Sequence, residues 1–308
     1  SIGKCMKPLK FLYNGTEQTI KAFKNATKVS DKFAYDTSSG SYYAPNDDRF
    51  VYDMNNDGLK DIVGFNNSGL YVSLNQGNLT FQKDKHWLNF FKDWNANSYP
   101  IRLGDIDGYG FTDVIGFKSN QLYVSFGNGT GVDPAKTLSF GSGWTSQSVY
   151  PRMVVDVNGD GRDDIVGFAP SGTYVALSKG RSFGALTKWL DKFGTQDVYA
   201  NMENNPRRLE DINGDGLLDV IGFRRDGIYV ALNKNGTKFS DHKKWISDFG
   251  WDSGYQYHSR YPRFVNDINN DGLPDIIGMK GDGVYISLNT GMNFTKAQKV
   301  LPDFGYNA

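Results

Sequence analysis

Apolar and polar residues alternate in short bursts along the whole chain, and the bursts recur. In Ile228-Tyr229-Val230-Ala231-Leu232 the branched residues face one side and Tyr229 and Ala231 the other. That period of two predicts a β-strand. The burst is repeated around Tyr71, Tyr123, Tyr174 and Tyr285. Pairs such as Asn128-Gly129 and Asn235-Gly236 follow it, suited to hairpin turns that need positive φ. Before each burst runs a second apolar stretch ending in Gly-Phe or Gly-Met, as in Ile62-Val63-Gly64-Phe65. Each unit therefore predicts about four strands: one before a polar loop, one after it, the Tyr strand and a Phe strand. The fold class is all-β.

The polar loop reads Asp-x-Asn-x-Asp-Gly-x-x-Asp. It spans 53–61, 156–164, 211–219 and 267–275, with a damaged copy at 105–113. Successive loops start 52, 51, 55 and 56 residues apart, close to a propeller-blade period. Around the loop recur Pro-Arg, Gly-x-Tyr-Val-Ser-Leu-Asn, a Gly turn, Phe, Lys-x-Trp and Phe-Gly. Four short antiparallel strands repeated radially describe a β-propeller of four-stranded blades, in which neighbours must cover faces that no blade buries alone. We read residues 1–308 as one propeller domain, with repeats near 45–95, 96–146, 147–200, 201–256 and 257–308. Leu12-Tyr13-Asn14-Gly15-Thr16 resembles Leu232 to Thr237, and Lys28 to Asp36 echoes Lys244 to Asp252. Residues 1–36 thus read as the outer half of a degenerate blade. The expectation is five full repeats plus an N-terminal half repeat, making five or six blades. No matching inner half follows Phe304-Gly305.

The loops carry the chemistry. Calcium takes six to eight oxygens, and loop positions 1, 3, 5 and 9 offer side-chain oxygens while position 7 offers a carbonyl. The expected ligands are Asp53, Asn55, Asp57 and Asp61; Asp156, Asn158, Asp160 and Asp164; Asp211, Asn213, Asp215 and Asp219; Asp267, Asn269, Asp271 and Asp275. The second loop keeps Asp105, Asp107 and Asp113, but Tyr109 replaces the fifth-position ligand. A bare turn would crowd three carboxylates that repel unless neutralised. Four to five structural calcium ions are therefore expected. The five loops hold fifteen of the 34 acidic residues, which leaves few for catalysis.

Composition narrows the function. Net charge is zero and no basic stripe stands out, which argues against nucleic acid. No stretch approaches the ~20 apolar residues of a membrane helix. The single cysteine, Cys5, excludes an intramolecular disulfide, so metal could supply the stapling. Sequons at Asn14, Asn25, Asn66, Asn78, Asn128, Asn235 and Asn293 read better as turn residues than as glycan acceptors. A start at Ser1 is compatible with a signal peptide already removed, and the chain is expected to be secreted. His86, His242 and His258 recur at no common position and read as surface residues, with a pocket near Tyr257 as the alternative for His258. No Ser/His/Asp order, paired Cys/His site or phosphate loop is present, so no enzyme is expected.

The loop motif followed by Ile-Val-Gly-Phe and Gly-x-Tyr-Val-Ser-Leu-Asn resembles the FG-GAP/VCBS repeat family over about residues 45–300. That family includes the integrin α-subunit propeller and propeller lectins of the Psathyrella velutina type. The Trp and Phe-Gly spacing is closer to the lectin branch. The resemblance implies a calcium-stabilised, multivalent lectin with sugars between blades and glycans or glycoproteins as partners, oligomeric state open. The alternative is a protein-interaction, adhesion or toxin-associated propeller. Sugar recognition needs an aromatic face and planar polar groups, so the candidates are Trp94, Trp144 and Trp251; Tyr99, Tyr150 and Tyr261; and Arg102, Arg152, Arg207 and Arg263. A second series, Trp87, Trp189 and Trp245, reads as inter-blade core. The repeated arginines also admit a structural reading, as partners of a neighbouring loop's Asp.

Overall fold

The computed structural model describes residues 48–66, 68–91, 94, 98–118, 121–139 and 144–304, together with Phe33 and the backbone of 10–13 and 16–19. The echo at 28–36 lies outside these residues except for Phe33, as do Cys5 and the sequons at Asn14 and Asn25. Strands β1 (Lys10–Tyr13) and β2 (Thr16–Thr19) form a hairpin. Five four-stranded antiparallel sheets follow, the blades of a β-propeller. Blade one is β3 (Arg49–Tyr52), β4 (Asp61–Asn66), β5 (Gly69–Ser73) and β6 (Lys85–Leu88). Blade two is β7 (Ile101–Gly104), β8 (Asp113–Lys118), β9 (Gln121–Ser125) and β10 (Lys136–Ser139). Blade three is β11 (Arg152–Val155), β12 (Asp164–Ala169), β13 (Gly172–Ala176) and β14 (Thr187–Leu190). Blade four is β15 (Arg207–Glu210), β16 (Asp219–Arg224), β17 (Gly227–Ala231) and β18 (Lys243–Ile246). Blade five is β19 (Arg263–Asn266), β20 (Asp275–Lys280), β21 (Gly283–Ser287) and β22 (Gln298–Leu301). Within every blade the strands pair in chain order.

The core lies between blades rather than inside any one of them. Val157, Phe168, Trp189 and Phe193 of blade three and its connector pack against Leu209, Val220, Ala231 and Phe239 of blade four. Ile212, Phe223, Ile228 and Phe249 meet Ile276 and Phe294 one interface later. The alternating strand pattern thus buries both of its sides where a blade lies between two others. Trp189 lies 5.4 Å from Phe239 and Trp245 5.5 Å from Phe294, so these tryptophans are interface core.

Hydrogen bonds repeat the same blade-to-blade step. The residue just after the Tyr strand reaches back to a loop carbonyl one blade earlier. Ser178 Oγ donates to the Ile106 carbonyl at 2.7 Å. Asn233 Nδ2 donates to Val157 and Asn289 Nδ2 to Ile212, both at 2.8 Å. In blade two the equivalent residue is Gly127, and Thr112 Oγ1 donates to the Asp53 carbonyl instead. Five connector phenylalanines, Phe33, Phe91, Phe193, Phe249 and Phe304, share a left-handed φ of 59–65°. Such φ values are rare for a bulky residue, and they mark Phe33 as the counterpart of the other four.

Candidate functional site

The loops turn between the first and second strands of each blade. The first Asp anchors the turn: Asp211 accepts N–H bonds from Gly214 (2.8 Å), Asp215 (3.1 Å) and Gly216 (2.8 Å). Asp53, Asp156 and Asp267 repeat this at their own position-six glycines. The last Asp is buried and joins three segments. Asp219 accepts from Ile212 N at 3.1 Å and from Asn233 N at 2.6 Å. Asp61, Asp113, Asp164 and Asp275 do the same. Burial pushes Asp113 and Asp219 up to about 7 and Asp164 up to about 6. Nearby loop acids add to that rise. A buried carboxylate crowded by like charges and backed by backbone donors suits a hard divalent cation. In the first, fourth and fifth loops no basic side chain pairs with these acids among the described residues. The donor sets of these three loops therefore fit calcium. In the third, Arg162 pairs with Asp160 at 2.6 Å.

The damaged loop is built differently from the other four. Carboxylate oxygens of Asp105, Asp107 and Asp113 converge within 4.8 Å. A cation from the chain already stands beside them: Arg181 Nε reaches Asp107 Oδ2 at 3.1 Å and Nη1 reaches Asp133 at 3.2 Å. The same guanidinium lies over Phe126 at 4.6 Å. Tyr109 removes the fifth-position ligand, and Asp107 is shared with Arg181.

The candidate arginines do not face solvent. Arg152, Arg207 and Arg263 are fully buried. Each donates through Nη1 to a connector carbonyl: Trp144 at 2.9 Å, Phe193 at 3.0 Å and Phe249 at 3.4 Å. Each also stacks 5.4 Å from a phenylalanine of the preceding blade, Phe117, Phe168 and Phe223. Burial draws all three down to about 10. They tether blades rather than present a planar group to sugar, and their partners are carbonyls rather than loop acids. Arg102, half-buried, caps the Arg152 and Ile101 carbonyls.

The tryptophan series also divides. Trp94 packs on Gly116 and Trp144 on Gly167, but the residues in that place further on are Tyr199 at Gly222 and Tyr255 at Gly278. A Cβ at Gly222 would lie 2.6 Å from the Phe193 ring and the Tyr199 hydroxyl. That contact is the reason for glycine in the Gly-Phe pair. A short 3-10 turn, Thr195–Asp197 or Trp251–Ser253, lengthens the later connectors. It shifts the equivalence, so Trp251 is not the counterpart of buried Trp144. Tyr99 packs 5.9 Å from Trp94, and Tyr150 and Tyr261 pack against core clusters. The histidines are engaged rather than free on the surface. His86 bonds the Ser68 carbonyl and His242 meets Arg224 at 3.2 Å. His258 accepts from Arg263 N and meets Arg208, both at 3.3 Å.

Trp251 belongs to a cavity of about 510 Å³ between the connector after blade three and the outer turn of blade four. Val198, Asn204 and Asn205 line one side; Arg224, Arg225 and Asp226 line the other. Arg225 Nε is set by Asp252 at 2.9 Å, and Asn205 by the Phe223 carbonyl at 3.2 Å. Tyr257 meets the indole edge-on at 5.6 Å. The Tyr229 hydroxyl (2.9 Å) and Lys244 hold Asp226 and keep its carboxyl below the usual range, against the pull of partial burial. Of these lining residues only Trp251 was singled out from sequence. The signal for the rest is a break in the repeat: Arg224-Arg225-Asp226 stands where blade three has Ala169-Pro170-Ser171.

The chain matches FG-GAP-like repeat models at 53–116 and 105–167, and an FG-GAP repeat model at 153–186. No curated protein matches it. Among solved structures it is similar to an Agrocybe aegerita lectin, described as specifically recognising non-reducing terminal N-acetylglucosamine. Identity is 33%, the TM-score 0.79, and the match covers 85% of this chain and 67% of the lectin chain. A Photorhabdus luminescens Tc holotoxin pore (15% identity, TM-score 0.46, 81% of this chain and 14% of that one) is also similar. So is the V. cholerae biofilm matrix protein Bap1 (16%, 0.36, 84% and 41%).

Proposed function

From the premise that the chain belongs to the FG-GAP repeat family of β-propellers, we propose that it is a calcium-stabilised carbohydrate-binding protein with a glycan pocket between blades three and four. The observation that carries the reading is the cavity in which Trp251 meets Asn204, Asn205, Arg225 and Asp226. An indole face accepts the C–H side of a pyranose, and planar amide, guanidinium and carboxylate groups suit paired hydroxyls. The positive groups are compensated, Arg225 by Asp252 and Arg224 in part by Asp226 at 3.9 Å. A neutral sugar suits that balance. The similar lectin's described ligand makes terminal N-acetylglucosamine the first sugar to test.

Calcium at the four intact loops would stiffen the frame by neutralising carboxylates that already bind backbone. We place the protein outside the cell, where modules with weak calcium sites are filled at about 10⁻⁴–10⁻³ M. Grooves between other blades share the frame but not the lining, as Lys280-Gly281-Asp282 in blade five shows. Valency is therefore the number of grooves whose lining works, and added sites on one rigid ring would add avidity. The lining offers binding groups rather than a nucleophile and its base, so binding is the activity proposed.

A glycan array with and without chelator, followed by titration with N-acetylglucosamine, tests this. Trp251→Ala should weaken binding about tenfold, the loss of one aromatic contact, without unfolding the chain. An array silent at high protein concentration, alongside a protein ligand, would transfer the reading to the adhesion or toxin-associated alternative.

A further inference from the structure

Each of the three buried arginines has its backbone N–H capped by the side chain five residues before it. Gln147 Oε1 accepts from Arg152 N at 3.1 Å and from Arg152 Nε at 3.2 Å. Met202 Sδ accepts from Arg207 N at 3.4 Å. His258 Nδ1 accepts from Arg263 N at 3.3 Å. The last two capping residues also tie their connector to the one before. Met202 N donates to the Ser148 carbonyl and His258 N to the Glu203 carbonyl, both at 2.7 Å. An amide, a thioether and an imidazole thus fill one structural place, and of the three only the imidazole takes up a proton in mild acid.

That imidazole is held between donors. Arg263 N faces Nδ1, and Arg208 Nη2 lies 3.3 Å from Nε2. A neutral ring has one lone pair for these two donors, whichever nitrogen carries its proton, and a second proton removes it. The imidazolium would then stand among the charges that already face the ring. These are Arg208 of β15, Arg263 of β19 and, opposing them, Glu203 of the connector after blade three. Glu210 offsets Arg208 in part, and Arg260, on the ring's own segment, lies over Tyr261 at 5.3 Å. Burial first, and then the two arginines, hold the ring down at about 4. Against the pull of burial, Ser259 keeps the Glu203 carboxyl below its usual range, so Glu203 stays charged further into acid. Both neighbours of His258 reach the cavity of Trp251. Tyr257 meets the indole edge-on at 5.6 Å. Ser259 donates to Glu203 Oε1 through its N (2.9 Å) and its Oγ, and Glu203 precedes Asn204 and Asn205 of the cavity wall. Residues 257–259 therefore clamp the asparagine wall to the segment that backs the tryptophan.

We propose that His258 is an acid-sensitive latch on this cavity: protonation of its ring releases residues 257–259 from Arg263 and Glu203, parts Trp251 from Asn204 and Asn205, and lets a bound sugar go. The proposal rests on the glycan reading for its ligand and on the hydrogen bonds above for its movement. The sign follows from the ring. In the closed form it binds a proton poorly, and once released it returns to its ordinary value of about 6.5. Falling pH therefore favours the open form, and sugar is held near neutrality and lost in acid.

The test follows three readouts from about pH 7 to about pH 4 in excess calcium, the window in which the ring titrates. They are affinity for N-acetylglucosamine, acrylamide quenching of Trp251 (taken as the difference from Trp251→Phe), and the His258 ring proton by NMR. Affinity should fall about threefold or more, because only the closed fraction binds. Quenching should rise, and both curves should share the midpoint of the His258 ring. His258→Gln supplies an acceptor that takes no charge, as Gln147 does, and His258→Met repeats Met202. Both responses should flatten in these variants. Equal responses in the chain and in either folded variant would overturn the latch and leave the glycan reading standing. So would midpoints in the unaltered chain that depart from that of the ring, a comparison that holds even where a variant misfolds. A sugar that binds at no pH would remove the glycan reading, and the quenching curves would then decide the latch alone.

Discussion

Asp219 separates two things a loop carboxylate does, and a pair of substitutions reads them apart. Its oxygens accept from Ile212 N and Asn233 N inside a buried site. Asp219→Ala removes both acceptors. A buried N–H left unpaired costs about 1–3 kcal/mol, so two cost about 2–4 kcal/mol after local relaxation. In a chain of this size that lowers the thermal midpoint by about 4–8 °C. This loss is present with calcium or with chelator, because it concerns backbone donors. Asp219→Asn keeps one acceptor and removes a charge that burial disfavours. In chelator it should therefore lose less than Asp219→Ala, because one N–H keeps its acceptor and the loss of the other is offset in part by the buried charge removed. In calcium at a hundredfold its dissociation constant, a filled site contributes about 2.7 kcal/mol, and the Asn variant should lose most of it. The assay is thermal or urea unfolding of both variants, each with calcium and with EGTA. If Asn and Ala lose stability equally in chelator, the hydrogen-bond account of this residue is wrong. If Asn loses nothing on adding calcium, the metal account is wrong.

Three further outcomes are expected. Gly222→Ala should destabilise by about 1–3 kcal/mol, because its methyl would lie 2.6 Å from Phe193 and Tyr199; urea unfolding measures it, and a neutral result would remove the packing reason for glycine. Burial, with Arg208 and Arg263 adding to it, holds His258 down at about 4. The unfolded chain binds that proton first, so the part of the stability that depends on His258 should rise with pH between about 4 and 6.5, by about 1–2 kcal/mol after discounting for partial exposure. The difference in urea midpoint between the wild type and His258→Asn should shift by that amount across the window, apart from the opposite slope of the raised loop carboxyls. Arg181→Ala should lower stability by the same amount with calcium and with chelator; a loss confined to chelator would place an ion in the second loop, taking over the charge of the missing guanidinium.

The architecture was legible because it is written in repeated local signals. The period of two around each tyrosine, the Asn-Gly turns and the spacing of the loops all describe contacts within a blade, and a propeller multiplies them. The roles of arginine and tryptophan were less legible, because they depend on which residues meet across an interface. Arg207 looks available in the sequence, yet a phenylalanine from one blade and a connector carbonyl enclose it. Trp144 and Trp251 each come soon after a phenylalanine, Phe140 and Phe249, but a single 3-10 turn puts Tyr255 rather than Trp251 over the glycine. Asn204, Asn205 and Arg224 to Asp226 were missed for the opposite reason. They depart from the repeat, and a search for periodicity passes over what occurs once.

The ties that run from Ser178, Asn233 and Asn289 all point the same way along the chain. In each, the carbonyl that receives belongs to the earlier segment and the donor to the later one. During synthesis the docking point has therefore left the ribosome before its partner arrives. Growth can proceed as a ratchet, each newcomer fastening to what is already folded.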